Sequence, residues 1–300
     1  MSILLVDSAS LWYRAYYGMP DSLLSPNGEP INAIKGFIDM TARLINHYQP
    51  EQIVLCLDGD WRPSWRVDLF PEYKLNRVAD DGEEEEPDLL TPQIPHILDF
   101  FDAVGVPIIG VDDAEADDVI ATLASESRSP VRIATGDRDL FQLVDDERDI
   151  KIVYLAKGIS AHDLVDRGWI EKKYEIPGDR YALFAMIRGD ASDGLPGIRG
   201  IGEKGAAKIA QSFANFTEVL DAAHNGDSRL SEPHRKKILA DLNYAHVVER
   251  LVSCKRDLRL PDFPQSLSQA PANAAEITRL KEELGLGASV DRLFSALRWI

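Results

Sequence analysis

Residues 52–58 read QIVLCLD, a run of aliphatic side chains that stops at an aspartate. An apolar run of this length without polar alternation is typical of a strand that is buried on both faces, as in a parallel sheet. The same pattern occurs three more times in the first half of the chain, as SILLVD at 2–7, VPIIGVDD at 106–113 and VRIATGD at 131–137. We therefore predict that four parallel strands form the centre of the fold.

Helical patterns lie between these strands. Residues 33–48 and 89–104 each place apolar side chains on one helical face. This alternation predicts an α/β fold with a mostly parallel central sheet, flanked by helices that right-handed crossovers connect. Ligands of such sheets bind beyond the carboxyl ends of the strands. The aspartates that end the four runs should therefore converge at one edge of the sheet.

The pattern becomes almost entirely helical from about residue 178. We expect an α/β core over 1–177 and a helical region over 178–300. Within that region PGIRGIG at 196–202 is a glycine-rich turn that leads into a helix, which is the form of a helix–hairpin–helix at about 190–213. The proline-spaced stretch 260–274 indicates an irregular connection before the last helices.

Composition limits the class of protein. The 300 residues include no run of eighteen apolar side chains and no basic leader, so we expect neither a membrane span nor a signal peptide. Cys56 and Cys254 form no CxxC pair, and the six histidines have no zinc-ligand spacing, which favours a reducing cytoplasm and no zinc site. The net charge of −17 argues against a nucleic-acid partner. The acids are clustered, however, and the run DDGEEEEPD at 80–88 is typical of a solvated loop.

A second acidic cluster lies at the start of the stretch DDAEADDVIATL, residues 112–123. Helix capping explains part of it, because Asp112 and Glu115 match a capping box and one of the two leading aspartates would be the cap. On a helix, Glu115 and Asp118 stand on one edge of the apolar stripe and Asp117 on the other. Capping does not account for Asp117 and Asp118, which place further charge beside a buried face.

More acids follow the last predicted strand, in TGDRDLFQL at 135–143, and start the helical region, in RGDASDGLPG at 188–197. Together with the strand ends they make nine candidate ligands: Asp7, Asp58, Glu115, Asp117, Asp118, Asp137, Asp139, Asp190 and Asp193. Nine carboxylates in one cleft would repel one another unless cations neutralise them. Oxygen-only ligands favour Mg²⁺ or Mn²⁺, and two such ions about 4 Å apart catalyse phosphodiester hydrolysis.

Two segments have the composition of a nucleic-acid interface. Residues 61–78 carry Arg62, Arg66, Lys74 and Arg77 among aromatic side chains, a pattern that suits single-stranded nucleic acid, although an amphipathic surface helix would show it too. The hairpin turn would offer backbone N–H groups to a phosphate without reading base sequence. Its candidate residues are Gly197, Gly200 and Gly202, backed by Lys204 and Lys208.

The chain resembles the bacterial 5′→3′ exonuclease and flap endonuclease family, which includes the N-terminal nuclease domain of DNA polymerase I. The matching stretches fall in the family's order over roughly residues 3–213: LLVDSASLWYRAYYG, LDGDWRPSWR, PEYKLNR, EADDVIATLA, TGDRDLFQLV and GDASDGLPGIRGIGEKGAAKIA. The resemblance implies a PIN-like or resolvase-like nuclease core, a helical arch at about 61–95, and a helix–hairpin–helix of the H3TH type.

The resemblance also implies roles for single residues. All nine acids would occupy metal-site positions, and Lys74 and Arg77 would act on the scissile phosphate. Arg14 would lie near the 5′ phosphate and Tyr73 near the terminal base, and the hairpin carbonyls at 197–202 would bind K⁺. The chain departs from the family at three places, one of which is the unusually acidic run DDGEEEEPD at 80–88 beside the arch. Ser8-Ala9 replaces the usual Gly-Asn, and Lys204-Gly205 replaces Lys-Thr.

We therefore expect a monomeric, cytoplasmic, Mg²⁺- or Mn²⁺-dependent nuclease of replication and repair. It would act on DNA with 5′ flaps and 5′ ends by a two-metal-ion mechanism, and no membrane or protein partner is indicated. Two alternatives remain open, namely a PIN-type ribonuclease and a DNA-junction-binding protein with weak or no nuclease activity. Whether the chain is free-standing or a fragment of a longer one also remains open.

Overall fold

The computed structural model describes residues 2–79, 82, 84 and 86–299. Its centre is a sheet of six strands in the order β3-β2-β1-β4-β5-β6. Five of the strands run parallel and the last, β6, is antiparallel to β5. The strands are β1 (Ile3–Asp7), β2 (Gln52–Cys56), β3 (Ile108–Ile109), β4 (Val131–Thr135), β5 (Ile150–Tyr154) and β6 (Asp163–Val165). The mostly parallel α/β fold is confirmed.

The strand register accounts for the position of the site. Asp7 at the end of β1 pairs with Cys56 at the end of β2, and Val6 pairs with Ala134 on β4. The carboxyl ends of the three central strands are therefore level. Asp7, Asp58 and Asp137, which end or follow these strands, line one cleft as the sequence predicts, whereas Asp112 and Asp113 after β3 do not line it.

Helices cover both faces of the sheet. In the first part of the chain they are α1 (Ser8–Gly18), α2 (Asn32–Tyr48), α3 (Ser64–Leu69), α4 (Gln93–Val104), α5 (Ala116–Glu126) and α6 (Arg167–Tyr174). The others are α7 (Tyr181–Arg188), α8 (Glu203–Ser212), α9 (Phe216–Asn225), α10 (Glu232–Ala240), α11 (Leu242–Val252), α12 (Ala274–Glu283) and α13 (Gly287–Ala296). Within the described residues, no helix is long and apolar enough to cross a membrane.

The two faces have separate hydrophobic cores. One core joins α1, α2 and α4 to α12 and α13, so the last two helices pack on the α/β part of the chain. The other core joins α5 and the sheet to α7, α8 and α11. Because this second core is shared by both parts, the division into 1–177 and 178–300 stays a prediction.

The segment 61–95, called the arch segment below, is less helical than the sequence suggested. Among its described residues it contains only the short helix α3 and a 3₁₀ turn at Leu75–Arg77 before α4 begins. Pro71 and the left-handed backbone of Lys74, with φ of 50°, interrupt any continuous helix. The expectation of a solvated loop over 80–88 falls partly on Asp80, Asp81, Glu83 and Glu85, which lie outside the described residues.

Candidate metal centre and nucleic-acid interface

Eight of the nine candidate ligands line one cleft at the carboxyl edge of the sheet. The cleft has a volume of about 820 Å³ and also contains Lys74, Arg77 and Arg14. The eight acids come from strand ends, from the start of α5 and from the loop before α8, and they are Asp7, Asp58, Glu115, Asp117, Asp137, Asp139, Asp190 and Asp193.

The two central strands place the first pair. Asp7 caps α1, because its carboxylate accepts from the Ser10 N–H at 3.2 Å, and it also accepts from the Thr135 hydroxyl at 2.6 Å. Asp58 accepts from the N–H of Ala116 at 2.7 Å, at the first residue of α5. Both carboxylates are therefore oriented by backbone groups of the neighbouring elements.

The start of α5 differs from the expected capping pattern. The N-cap residue is Glu115 rather than one of the two leading aspartates. Asp113 instead has a left-handed backbone, with φ of 55°, and accepts from the N–H of Ser64 at 2.6 Å. The helix begins four residues later than Asp112 because the chain first turns back past Gly59, whose N–H donates to the carbonyl of Ala114.

Glu115 is held by three donors from the arch segment. Its Oε1 accepts from Arg66 at 3.0 Å and from the Tyr73 hydroxyl at 2.8 Å, and its Oε2 lies 2.5 Å from Lys74 Nζ. Asp117, the second residue of the helix, lines the cleft directly. The arch segment and α5 therefore meet at a carboxylate of the candidate metal site.

Asp118 does not lie where the sequence places it. The sequence predicts it among the metal ligands at one edge of the apolar stripe, but it is fully buried and forms no part of the cleft wall. Its two oxygens accept from the guanidinium of Arg66 at 2.8 and 2.9 Å. The helical period was correct, but burial against Arg66 could not be read from the period alone.

The second cluster of acids lines the same cleft. The N–H of Asp139 donates to Asp137 at 2.8 Å, and the N–H of Asp137 donates to the hydroxyl of Thr135 at 2.8 Å. Asp193 accepts from Arg77 at 2.6 Å. Asp190 accepts from Ser192, whose hydroxyl is 2.5 Å away.

The electrostatics of the cleft are those of crowded carboxylates. Burial raises the pKa of Asp7 to about 7, against the opposing hydrogen bond from Thr135. It raises the pKa of Asp193 to about 6, and it holds the pKa values of Asp117 and Asp139 well above the usual range. Neighbouring carboxylates raise these four pKa values further. Added positive charge would therefore be strongly favourable in this cleft.

The donor set fits divalent cations in its chemistry. The buried Oδ1 of Asp139 has no hydrogen-bond partner among the described residues, and all the acids that line the cleft are oxygen donors. As the side chains of the described residues stand, no three acidic, His or Cys side chains close on a common point. Lysine and arginine side chains contact several of the carboxylates instead. An ion would therefore require local rearrangement of carboxylates that already face one space.

The predicted DNA contacts of the arch segment divide into two groups. Arg77 is partly exposed and lines the cleft. Arg66 and Tyr73 also line the cleft but are 3% exposed, and both donate to Glu115, so a contact with DNA would require each to exchange this partner, as it would for Lys74. Arg62 donates to the carbonyls of Tyr73 and Pro71 at 2.6 Å and thus braces the segment's own backbone. Several aromatic and basic side chains of the arch segment therefore have partners within the protein, so this composition does not by itself indicate contact with DNA.

Arg14 lies on the cleft side of α1. Its Nε is buried and finds no hydrogen-bond partner within the described part of the chain. Ser10, Tyr13 and Tyr17 line the cleft with it, at helical spacing along α1. We did not predict α1 or these three residues, although the spacing of 10, 13, 14 and 17 was a usable signal.

The hairpin turn combines close packing with exposed backbone. Gly197 is buried with φ of +64°, and a Cβ there would lie 2.6 Å from the backbone of Arg188, so this glycine permits close approach rather than facing DNA. Gly200 and Gly202 are exposed just before α8. Lys204 and Lys208 are also exposed, on α8 itself.

The helix α10 lies against this turn. Lys237 donates to the carbonyl of Gly200 at 2.5 Å. A Cβ on Gly205 would lie 2.8 Å from the side chain of Ile201 and 3.1 Å from that of His234. The glycine that departs from the family's threonine is therefore packed against its neighbours, and a side chain there would need them to move.

Comparison with known proteins identifies two family regions. Residues 2–175 match the 5′-3′ exonuclease N-terminal resolvase-like domain, and residues 176–275 match the 5′-3′ exonuclease C-terminal SAM fold. The chain is 44% identical over 299 residues to a 5′-3′ exonuclease of Streptomyces coelicolor, with 98% of this chain and 99% of that protein aligned. It is 33% identical to DNA polymerase I of Mycobacterium bovis, where 99% of this chain covers 32% of the relative.

The fold also has solved neighbours. A structure described as divalent metal ions (zinc) bound to T5 5′-exonuclease superposes with a TM-score of 0.65 at 17% identity. The alignment covers 99% of this chain and 97% of that one. At this identity the likeness concerns the fold, and it extends over the sheet, the helical region and the last two helices together.

Proposed function

Because this chain belongs to the 5′-3′ exonuclease family, we propose that it is a divalent-metal-dependent, structure-specific DNA nuclease that hydrolyses phosphodiesters at 5′ ends and 5′ flaps. The observation that carries the proposal is the meeting of eight carboxylates with Lys74, Arg77 and Arg14 in one cleft. Acids alone would repel a phosphodiester, and cations alone would bind one without a place for metal ions. Both kinds of side chain together suit metal-assisted phosphodiester hydrolysis.

We propose Mg²⁺ or Mn²⁺ as the ions, since the acids are hard oxygen donors. The residues that would hold them are Asp7, Asp58, Glu115, Asp117, Asp137, Asp139, Asp190 and Asp193. When bound, two such ions supply Lewis acidity for both the attacking and the leaving oxygen of the phosphodiester. The raised pKa values of several of these acids support the assignment, because a divalent cation would relieve the repulsion.

Lys74 and Arg77 would orient the scissile phosphate and stabilise the charge that develops on it. Burial alone would lower the pKa of Lys74, but Glu115, Asp193 and Asp58 outweigh burial and raise it. Lys74 therefore stays a cation at every working pH and is suited to charge stabilisation rather than to proton abstraction. In the DNA-free protein the ammonium group of Lys74 contacts Glu115. When DNA binds, Lys74 must therefore exchange this carboxylate for the phosphate.

Arg14 and the hairpin would hold the rest of the substrate. The Nε of Arg14, which has no hydrogen-bond partner among the described residues, suits a terminal 5′ phosphate on the cleft side of α1. The exposed turn at Gly200 and Gly202, with Lys204 and Lys208, suits a duplex backbone without reading base sequence. Bound K⁺ at the carbonyls of 197–202 would extend this contact, and the monomeric state and cytoplasmic location remain predictions of the sequence.

Substrate choice tests the proposal against the ribonuclease and junction-binding alternatives. We expect the protein with MgCl₂ to cut a 5′-flap duplex near the flap base and to release short products from a 5′ end. A 3′-flap duplex and single-stranded RNA of the same length serve as matched substrates. Preferential cleavage of the RNA would favour a ribonuclease, and tight binding of the flap without cleavage in Mg²⁺ or Mn²⁺ would favour a junction-binding protein.

A further inference from the structure

The carboxylate of Asp118 has no room for a metal ion. Its Oδ1 accepts from Arg66 Nη2 at 2.9 Å and from the N–H of Lys255 at 2.8 Å. Its Oδ2 accepts from Arg66 Nη1 at 2.8 Å and from the N–H of Glu115 at 3.4 Å. A carboxylate has about four lone-pair sites, and four donors meet them here. The side chain is also fully buried, away from the cleft that the other eight acids line.

Arg66 contacts three parts of the chain, one of them through the carboxylate of Asp118. It lies on α3 at the base of the arch segment and pairs with Asp118 on α5 in the bidentate geometry that fixes a guanidinium plane. Its Nε donates to the carbonyl of Leu251 near the end of α11 at 3.3 Å. The ring of Trp65 covers it, with 4.3 Å between the guanidinium carbon and the ring centroid.

The same guanidinium reaches the candidate metal site. Arg66 Nη1 is shared between Asp118 and Oε1 of Glu115, at 2.8 and 3.0 Å. Glu115 in turn holds Lys74 at 2.5 Å. A chain of contacts therefore runs from Asp118 to Arg66, then to Glu115, and then to the lysine that would act on the phosphate.

We propose that Asp118 is a positioning residue that acts through Arg66 on Glu115 and Lys74, and that it does not bind the ions. The inference rests on the proposed function, because it assigns a role within the same reaction. Loss of Asp118 should leave the eight cleft acids in place but remove the bidentate partner of Arg66, which keeps Glu115 and the carbonyl of Leu251, and so loosen the arch segment. Loss of Asp117, which lines the cleft, should remove a ligand.

Two measurements on the full chain separate these roles. The first is the Mg²⁺ affinity of the DNA-free protein by titration calorimetry with MgCl₂, for the wild type, Asp118→Asn and the matched variant Asp117→Asn. The second is the single-turnover cleavage rate of a 5′-flap duplex at saturating Mg²⁺ and DNA, for Arg66→Gln, Asp118→Asn and their double variant. Thermal melts by circular dichroism verify that each variant is folded.

We expect Asp117→Asn to weaken Mg²⁺ binding by at least about tenfold, while Asp118→Asn keeps an affinity close to the wild type. Arg66→Gln and Asp118→Asn should each slow cleavage by about 10–100-fold, and the double variant should be no slower than the slower single variant. A loss of Mg²⁺ affinity in Asp118→Asn equal to that in Asp117→Asn overturns the proposal. Losses of rate that multiply in the double variant overturn it as well.

Arg66→Gln leaves the buried carboxylate of Asp118 without its cationic partner, and Asp118→Asn removes one of the two anionic partners of Arg66, so either variant could unfold. The double variant removes both charges, so it is the fallback for the Mg²⁺ titration. Retained affinity in it supports the positioning role, and a loss matching Asp117→Asn contradicts that role. Absence of cleavage by the wild type would count against the proposed function, whereas the Mg²⁺ comparison would still decide what Asp118 does.

Discussion

The ammonium group of Lys74 lies 2.5 Å from Oε2 of Glu115, across the boundary between the arch segment and the start of α5. The lysine is 7% exposed, has a left-handed backbone and keeps a raised pKa because of the surrounding acids. A strained backbone at a buried cation is typical of a functional position. The pair links the residue that would stabilise phosphate charge to a residue that would bind metal.

Replacement of this cation should affect the chemical step more than binding. We expect Lys74→Ala to lower the single-turnover rate on a 5′-flap duplex by about 10²–10³-fold, since it removes a preorganised positive charge. The dissociation constant for the same DNA should change far less. Lys281→Ala, on α12, is the matched control and should cleave like the wild type. A change in affinity with an unaltered rate would make Lys74 a binding residue only.

Crowded acids should make the metal-free protein sensitive to pH. The folded pKa of Asp7 is about 7 and that of Asp193 about 6, both above the unfolded value of 3.8. At pH values above 3.8 and below these folded pKa values, the folded state therefore binds more protons than the unfolded state. The free energy of unfolding consequently falls as pH rises through the two folded pKa values. In EDTA we expect a lower melting temperature at pH 8 than at pH 6.

Added MgCl₂ should raise the melting temperature more at pH 8 than at pH 6, because the acids are then ionised and bind the cation. Asp7→Asn serves as the control and should reduce the pH dependence in EDTA. A metal-free melting temperature that is flat between pH 6 and pH 8 would contradict the electrostatic description of the cleft.

The hairpin lysines should contribute sequence-independent DNA affinity. Lys204→Ala and Lys208→Ala should each weaken duplex binding to a similar extent for unrelated sequences, because they would contact phosphates. Each should also reduce the slope of log affinity against log salt by about 0.9. Fluorescence anisotropy in Ca²⁺ at several salt concentrations measures both effects. An unchanged slope in both variants would place the DNA elsewhere on the protein.

Two glycines of the hairpin should respond differently to substitution. Gly197→Ala should lower the free energy of unfolding by about 1–3 kcal/mol, because φ is +64° and the new Cβ would meet the backbone of Arg188. Gly202→Ala adds a Cβ that meets nothing within 4 Å. Its cost should be about 1 kcal/mol or less, arising at the N-cap of α8. Equal stability of the two variants in urea unfolding would refute the packing role of Gly197.

Much of the fold and eight cleft acids could be predicted from local sequence. The apolar runs that end at aspartates are visible in the sequence and predict buried strands. A parallel arrangement of these strands then brings Asp7, Asp58 and Asp137 to one edge of the sheet. The strands β5 and β6 were missed. IKIVY at 150–154 alternates a lysine with apolar residues, and DLV at 163–165 is too short to carry a periodic signal.

The errors at the site have a common physical origin. Arg66 and Asp118 are distant in sequence, and each is of a charged residue type that is usually exposed at the surface. Their mutual pairing satisfies both charges and permits burial, which no local pattern records. The same kind of pairing engages Tyr73 and Arg66 with Glu115 in the DNA-free protein, and their contacts with DNA stay predictions. Long-range pairing decides whether a basic residue faces solvent, substrate or a carboxylate.

The most direct test of the central claim is the rate of 5′-flap cleavage in MgCl₂, measured for the wild type, for the wild type with excess EDTA, and for Asp117→Asn. We predict that the wild type cuts near the flap base, that EDTA stops the reaction and that fresh Mg²⁺ restores it. Asp117→Asn should be slower by at least about a hundredfold while remaining folded. Cleavage that persists in EDTA, or an Asp117→Asn variant that matches the wild type, would contradict the assignment of this cleft as the catalytic metal site.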